Sequence, residues 1–517
     1  MKSVGLLVGG LVVLLAFAAW SAHSLEGTAT VYYDPATKHI YLLPGRVDLR
    51  HGAAVGEYHD HIEKDGWGKL SIEGNPLHED ETQMFAAGYL EGAMTQKRIY
   101  QQYTNIHSVF WHNATTIPAS LQAWLKAQDK WVRDNAAEKR AADPYWGQVA
   151  NVLAQFDGLV KGYNDFAPAL PGRPPRNMMS EDQLRNWVYN THCSALIKVT
   201  GDLSDIFAGH TAWFSYESML RIAKSYTLPL SNPSTQSKSV IFSSYPGFLV
   251  SLDDFYITDK ELVVIETSLS VFNESLYTIV RDNTQVLLSW QRTMLANRMA
   301  SSGPQWASTY SRYQSGTYNN QWMVLDTKRF EQGVQLNPYT LTILEQIPGY
   351  IQWDDQTSIL AEGYWPSYNV PFYPRVYEAA GYVEMAQKQP VMASYQHCCR
   401  ANIFRRDQGN VTDFEAFKSI LRYNDWQNDP YSQGHPGYSI AARFDLEKSN
   451  PSPEGGYDTK ATSYARVKQM KFEAINGPTY QEQPVFAWTS QWDAYSHVGQ
   501  PLRFHFPFVT MQPAQFQ

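Results

Sequence analysis

Apolar and polar residues alternate from the first structured part of the chain. GTATVYYDPATKHIYLLPG, residues 27–45, predicts two β segments around an Asp-Pro turn. Between Glu91 and Asp165 the period lengthens. LQAWLKAQDKWVRDNAAEKR and WGQVANVLAQFDGLVKGYNDF place apolar residues three and four apart, which predicts helices. APALPGRPPRNMMSEDQ follows, with prolines at 168, 171, 174 and 175, a density that suits neither regular element and reads as an exposed linker or processing loop. LRNWVYNTHCSALIKV then leads into a strand predicted from about Ser194 to Val199. More strands are predicted in DIFAGH, SVIFSSYPG, FLVSLDDFYIT and KELVVIETSL, a helix near LLSWQRTMLANRMA, and further runs in NNQWMVLD and TLTILEQIPGYIQW. Nearer the C-terminus glycine, proline and aromatics mix without clear periodicity. Strands in bulk with scattered helices, and no regular βαβ alternation, predict an α+β protein with layered sheets.

One apolar run stands apart. Lys2 precedes an unbroken stretch from Val4 to Trp20, and Ala22-His23-Ser24 supplies small residues for cleavage, so residues 1–24 are expected to be a signal peptide. No second stretch approaches a bilayer span, so the mature form is expected to be lumenal, with no stable transmembrane segment. Acceptor sequons at Asn113, Asn273 and Asn410 fit that route. Charge narrows the partners further: a net charge of -8 without a basic stripe gives no reason to expect nucleic acid. The 16 Trp, 33 Tyr and 23 Phe suit wide sheet surfaces, and a lipid or saccharide partner equally well.

Cysteine carries the candidate chemistry. Three cysteines in an oxidising lumen leave at least one without an intrachain partner, whether Cys398 and Cys399 pair with each other, pair elsewhere or stay reduced. Cys193 differs from these in its surroundings. No Cys-x-x-Cys, His-x-x-x-His or His-Glu-x-x-His spacing exists, so neither a metal nor another cofactor is expected. Cys193 can be a buried apolar plug. It can also be a nucleophile, because it follows the proline-rich segment directly. If the chain broke between His192 and Cys193, the thiol would sit beside its own α-amine, whose ordinary pKa of about 7.7–8.0 suits a general base. The same thiol could make the cut by attacking the preceding carbonyl, through an S-linked ester that water hydrolyses.

NTHCSALIKV, DIFAGHTAWFSYESMLRIAKSY, SSYPGFLVSLDDFYIT, LVVIETSL, SGTYNNQWMVLD, LTILEQIPG, YWPSYNVPF, IFRRDQGNV and LRYNDWQNDP, in that order, resemble the phospholipase B-like family of lysosomal glycoproteins, from roughly Val31 to the end. The resemblance implies an α+β, four-layer αββα fold of the N-terminal-nucleophile hydrolases. It also implies a precursor cut into two chains that remain associated, here residues 25–192, with the processing linker near 167–192, and residues 193–517. It places the nucleophile on Cys193, an active-site histidine on His210, substrate-positioning residues on Trp213 and Thr267, an oxyanion-hole asparagine on Asn369 and an arginine beside the nucleophile on Arg400. Arg400 would hold the thiolate form or engage an anionic group of the substrate. The pattern differs in having SQGHPGYS at Ser432–Ser439, where family members carry cysteines, and in the Cys398-Cys399 pair next to Arg400.

The expected activity is removal of fatty acyl groups from glycerophospholipids in the lysosome or after secretion. The alternatives are an amidase acting on N-acyl lipids or peptides and a non-catalytic lysosomal lipid-binding glycoprotein. A carbohydrate-binding role lacks any repeat or paired-carboxylate signature.

Overall fold

The computed structural model describes residues 25–111, 118–167 and 192–516. The apolar leader 1–24, Asn113 and the proline-rich stretch 168–191 lie outside the described residues. The predicted hairpin forms as β1 (Gly27–Asp34) and β2 (His39–Pro44), with the Asp34 carboxylate accepting from the Ala36 amide at 2.9 Å in the turn. Two further strands follow, β3 (Ala54–His61) and β4 (Trp67–Gly74).

The helical stretch begins earlier than its periodicity predicts. Helix α1 spans Asp80–Met94, and helices Gln96–Trp111 and Ala119–Lys139 precede α2, Pro144–Phe166. Nearly every residue of α1 from Thr82 to Met94 is buried, so its apolar positions make no stripe. What brings α1 and α2 together is glycine. A Cβ at Gly88 would stand 1.9 Å from the Gln155 carbonyl oxygen, and one at Gly158 would stand 2.0 Å from that of Phe85. The two backbones therefore touch.

Residues 192 onward supply β5 (His192–Val199), β6 (Ile206–Ser215), β7 (Arg221–Thr227), β8 (Ser239–Ser244), β9 (Phe255–Thr258) and β10 (Leu262–Ser268). After the helices Ser289–Met299 and Gly303–Tyr310 come β11 (Asn320–Asp326), the short hairpin β12 (Phe330–Glu331) and β13 (Gln335–Leu336), β14 (Leu341–Ile347), β15 (Tyr350–Asp355) and β16 (Tyr364–Ser367). Helices α3 (Cys399–Asp407) and α4 (Phe414–Leu421) then precede β17 (Glu454–Gly456), β18 (Asp458–Ser463), β19 (Phe472–Asn476) and β20 (Val509–Met511).

These strands make a mixed α+β fold with two principal sheets. The larger has eleven strands in the order β15-β14-β11-β10-β9-β8-β7-β4-β3-β1-β2. The smaller runs β16-β5-β6-β18-β19-β20, with β17 also paired to β6. Strand β10 explains their stacking. Leu262 and Val264 enter a core shared with Met84, Leu90 and Trp306 of the helices. Val263 and Ile265 enter a second core with Ala195, Ile197 and Phe207 of the smaller sheet. A strand buried on both faces needs a continuous apolar run, and LVVI supplies it. On the smaller sheet, Gly209 lets α4 approach: a Cβ there would be 2.4 Å from Leu421 Cδ1.

The strand expected from Ser194 begins at His192, so Cys193 lies inside the ladder, opposite Ala212. The larger sheet joins the two parts of the chain through β4 and β7, which pair in parallel from Trp67–Arg221 to Glu73–Thr227. Among the described residues no helix is long and apolar enough to cross a membrane.

Candidate active site

The β5–β6 register builds the site. Cys193 faces Ala212 and Ala195 faces His210, and alternate residues of an antiparallel ladder share a face, so Cys193 and His210 are diagonal neighbours. Glu266, near the end of β10, completes the group. Cys193 Sγ, a ring nitrogen of His210 and a carboxylate oxygen of Glu266 lie within 4.8 Å of one another, and all three residues are buried. Thiol, imidazole and carboxylate are also zinc-type donors. They come from three different strands, so local spacing gave no sign of such a trio.

Hydrogen bonds fix the backbone of Cys193. Its N–H donates to Asn369 Oδ1 at 2.8 Å, and its carbonyl oxygen accepts from Arg400 Nη1. Arg400, in the first turn of α3, also donates through Nη1 to Asn369 Oδ1 at 2.8 Å and through Nη2 to the Tyr368 carbonyl at 2.6 Å. Its guanidinium carbon stands 4.5 Å from the centre of the Trp213 ring. Asn369 Nδ2 donates to the Ser268 carbonyl at 2.7 Å. Asn369 has φ of 67°, a left-handed conformation that asparagine tolerates better than most residues. The Tyr382 hydroxyl fixes it further by donating to its carbonyl at 2.8 Å.

The electrostatics follow from depth. Burial pushes the Cys193 thiol well above its ordinary value, Glu266 adds to the shift, and the Trp213 amide and Lys460 oppose it. Burial, with Lys460 beside it, holds His210 well below its ordinary value, so the imidazole is neutral. Neither ring nitrogen makes a well-formed hydrogen bond among the described residues, although the backbone of Glu266 is close enough to favour the protonated ring slightly. Burial also raises Glu266 well above the usual carboxyl range, as does the neighbouring Asp254. Tyr318 Oη donates to Glu266 Oε1 at 3.0 Å, and Asn320 Nδ2 donates to Oε2. Asp254 is itself pushed up to about 7, chiefly by burial, with the Tyr256 hydroxyl donating to it at 2.6 Å.

Beneath this cluster lies a buried ion network. Arg221 Nη2 meets Asp253 Oδ2 at 2.6 Å and Asp458 Oδ2 at 3.0 Å, and Lys460 Nζ meets Asp253 Oδ2 at 2.5 Å and Asp458 Oδ1 at 2.8 Å. Two cations against two carboxylates balance charge where unpaired ions would be costly.

Such an assembly, a buried thiol with its own peptide nitrogen pinned beside a neutral imidazole, can be compared with known proteins. A family model described as Phospholipase B matches residues 54–174 and 164–511. The chain belongs to the phospholipase B-like family. Phospholipase B-like 1 of Homo sapiens is 40% identical, over 94% of this chain and 91% of that protein. Phospholipase B-like 1 of Bos taurus is 39% identical over 97% and 96%, and phospholipase B of Crotalus adamanteus is 38% identical over 98% and 96%. Among solved structures, a mutant conjugated bile acid hydrolase from Clostridium perfringens aligns with a TM-score of 0.32 and 9% identity, covering 62% of this chain and 97% of that one. That likeness is too slight to carry an argument.

Of the residues that the phospholipase B-like pattern points to, the structure gathers Cys193, His210, Trp213, Asn369 and Arg400. Arg400 grips the carbonyl of Cys193, not its thiol. Thr267 turns aside: its hydroxyl meets that of Ser367 at 2.6 Å, tying β10 to β16. Trp213 donates its indole N–H to the Ile440 carbonyl at 3.0 Å. Asn273 and Asn410 are exposed, whereas the side chain of His192 lies outside the described residues. Cys398 and Cys399 are buried free thiols.

Sequence reasoning missed Glu266, Asp254, Tyr318 and the Arg221–Lys460 network. Two signals existed. Glu266 is a charged residue inside the apolar run LVVIETS, and Asp458 and Lys460 alternate within a short strand whose every residue is buried.

Proposed function

We propose that this protein is a phospholipase B-like acyl hydrolase whose nucleophile, Cys193, is freed by its own cut. One observation carries the reading: the Cys193 amide is hydrogen-bonded to Asn369 while its thiol lies among His210 and Glu266, directly after the proline-rich segment. In the unbroken chain the Cys193 nitrogen is an amide and cannot act as a base. His210 takes that part for the first step, being neutral and unengaged. It accepts the thiol proton as Sγ attacks the His192 carbonyl carbon. The bond from that carbon to the Cys193 nitrogen breaks, the nitrogen takes up the proton as an amine, and a thioester joins the two residues. Water hydrolyses it to a His192 carboxylate and a free Cys193 thiol. Thereafter the α-amine, held by Asn369 Oδ1, serves as the base for turnover.

In the second phase Sγ attacks the acyl carbonyl of a glycerophospholipid, the alcohol leaves, and water releases the fatty acid. Asn369 is the proposed oxyanion donor, exchanging the Ser268 carbonyl for the developing oxyanion. Arg400, stacked on Trp213, holds the strand start against that donor. The layered packing corresponds, on this reading, to the αββα arrangement of N-terminal-nucleophile hydrolases.

The pieces 25–192 and 193–517 would stay together, because β4 pairs with β7 and the buried Lys224–Glu91 ion pair, at 2.7 Å, joins them. An acidic lumen, the lysosome or the secretory route, fits the leader and sequons. Incubating processed protein with a mixed lipid extract and following products by mass spectrometry tests the reading. Cys193-dependent release of fatty acid from glycerophospholipids is the expected result. Release from N-acyl amides alone would make it an amidase, and co-purified lipid without any product would make it a carrier.

A further inference from the structure

The ring of His210 is wholly buried, and neither of its nitrogens has a hydrogen-bond partner among the described residues. Protein interiors seldom leave a buried polar group so, and an ion is one of the partners such a group accepts. Two further donors share the space. Cys193 Sγ, a His210 ring nitrogen and a Glu266 carboxylate oxygen lie within 4.8 Å of one another. Tetrahedral zinc holds sulfur, nitrogen and oxygen donors about 3.5 Å apart, so side-chain adjustments of about 1 Å would close the set. Thiolate with imidazole is a soft pairing that favours zinc over magnesium or calcium.

The surroundings suit a divalent cation. A thiolate and a carboxylate beside a neutral imidazole carry two negative charges, which such an ion cancels where unpaired charge is costly. The ion network beneath makes no claim on these donors, because Arg221 and Lys460 are already paired with Asp253 and Asp458. Glu266 also has the outer shell that orients a ligating carboxylate. Tyr318 Oη donates to its Oε1 at 3.0 Å, and Asn320 Nδ2 donates to Oε2. Asn369 and Arg400 fix the Cys193 backbone, so the thiol is presented from a set position. Strands β5 and β6 belong to the smaller sheet and β10 to the larger, so an ion here would tie the two sheets together.

We propose that Cys193, His210 and Glu266 form a zinc-type site in the uncut precursor, and that the bound cation keeps the chain uncut. The thiol gives up its proton as it coordinates. The sulfur lone pair and the imidazole nitrogen that the first step of self-cleavage requires are then both occupied. The latency rests on the self-cutting reading, whereas the metal site stands on the donors alone.

The test uses the full-length precursor and Co²⁺, whose bond to a thiolate gives a charge-transfer absorption. Because the donors are buried, Co²⁺ is supplied both by dialysis of the folded precursor and during expression. One cobalt per chain is expected. Its thiolate band is expected to survive Cys398→Ala combined with Cys399→Ala, and to vanish in Cys193→Ala and in the closer-shaped Cys193→Ser. Glu266→Gln is expected to need at least tenfold more metal, with circular dichroism confirming that each variant is folded. One equivalent of Zn²⁺ is expected to slow the appearance of the fragment starting at Cys193 at least tenfold, and a chelator to restore it. No Cys193-dependent band under either loading would overturn the site. Cleavage as fast or faster with the metal bound would overturn the latency. A Cys193-dependent band in a precursor that never cuts, even with chelator, would leave the site standing and remove the self-cutting reading. Cutting at Cys193 with no such band would do the reverse.

Discussion

At Asn369 a single amide has two ends with different work. Oδ1 receives the Cys193 N–H and an Arg400 N–H, and Nδ2 donates to Ser268. Asn369→Asp keeps the acceptor and loses the donor. Processed Asn369→Asp is expected to lose turnover by roughly 10²–10³, the range for one missing oxyanion donor, as read by steady-state fatty acid release. Wild-type turnover would remove Asn369 from the oxyanion role. Glu266 acts through charge. When ionised it disfavours the Cys193 thiolate, and because its carboxyl is held well above the usual range it stays neutral at acid pH and ionises as pH rises. Asp254 and Tyr318 face it from β9's loop and the start of β11, His210 and Cys193 from β6 and β5, and Asp253, Lys460 and Arg221 lie beyond. Glu266→Gln is therefore expected to leave precursor cleavage little changed at acid pH and to speed it once the pH is high enough to ionise the wild-type carboxyl, on gel time courses across a pH series. Slower cleavage across the series would assign Glu266 a direct proton-transfer part instead.

Among the elements, the α1–α2 crossing is the tightest-specified contact. Gly88→Ala would drive a methyl group into the Gln155 carbonyl, so a loss of about 3 kcal/mol or more is expected in denaturant unfolding, against under 1 kcal/mol for Gly→Ala at the open position Gly201. The legibility of the elements follows the same physics. Hairpin β1–β2, the helices around Leu121 and Val149, and strands β5, β6, β8, β10, β11, β14 and β15 announce themselves by alternation, stripe or apolar run. Helix α1 does not, because it is buried all round, and β7, RIAKSYT, hides because Arg221 and Lys224 are ionic residues in a buried strand. The helices and strands after Tyr364 are short and packed among aromatics, too brief to show a period. At the site, Cys193 was singled out by its place after the proline-rich segment, and His210, Asn369 and Arg400 by family resemblance; the structure brings the four together. Glu266 and Asp254 were not singled out, since only the stacking of β10 against β5 brings them to the thiol.

For the whole molecule, buried carboxyls make stability depend on pH. Glu345 is buried on β14, and burial pushes its carboxyl up to about 7, against opposing hydrogen bonds from Gln321 and the amides of Phe372 and Tyr373. A group whose folded pKa is raised binds its proton more tightly in the native state. Its contribution is complete below the unfolded value near 4.5 and is lost as pH rises through about 7. Melting temperature is expected to fall between pH 5 and 8 in wild-type protein, and Glu345→Gln is expected to flatten that fall. A variant that keeps the full slope would place its origin elsewhere. A chain proposed to mature in an acidic lumen would have the Glu345 contribution there in full. Whether it matures there by its own thiol is decided most directly by one measurement: N-terminal sequencing of the purified precursor after exposure to acid. The expected result is a large fragment beginning at Cys193 in wild-type protein and a single uncut chain in Cys193→Ala. A wild-type chain that stays intact, a large fragment that begins away from Cys193, or a Cys193→Ala chain cut at the same place would contradict it.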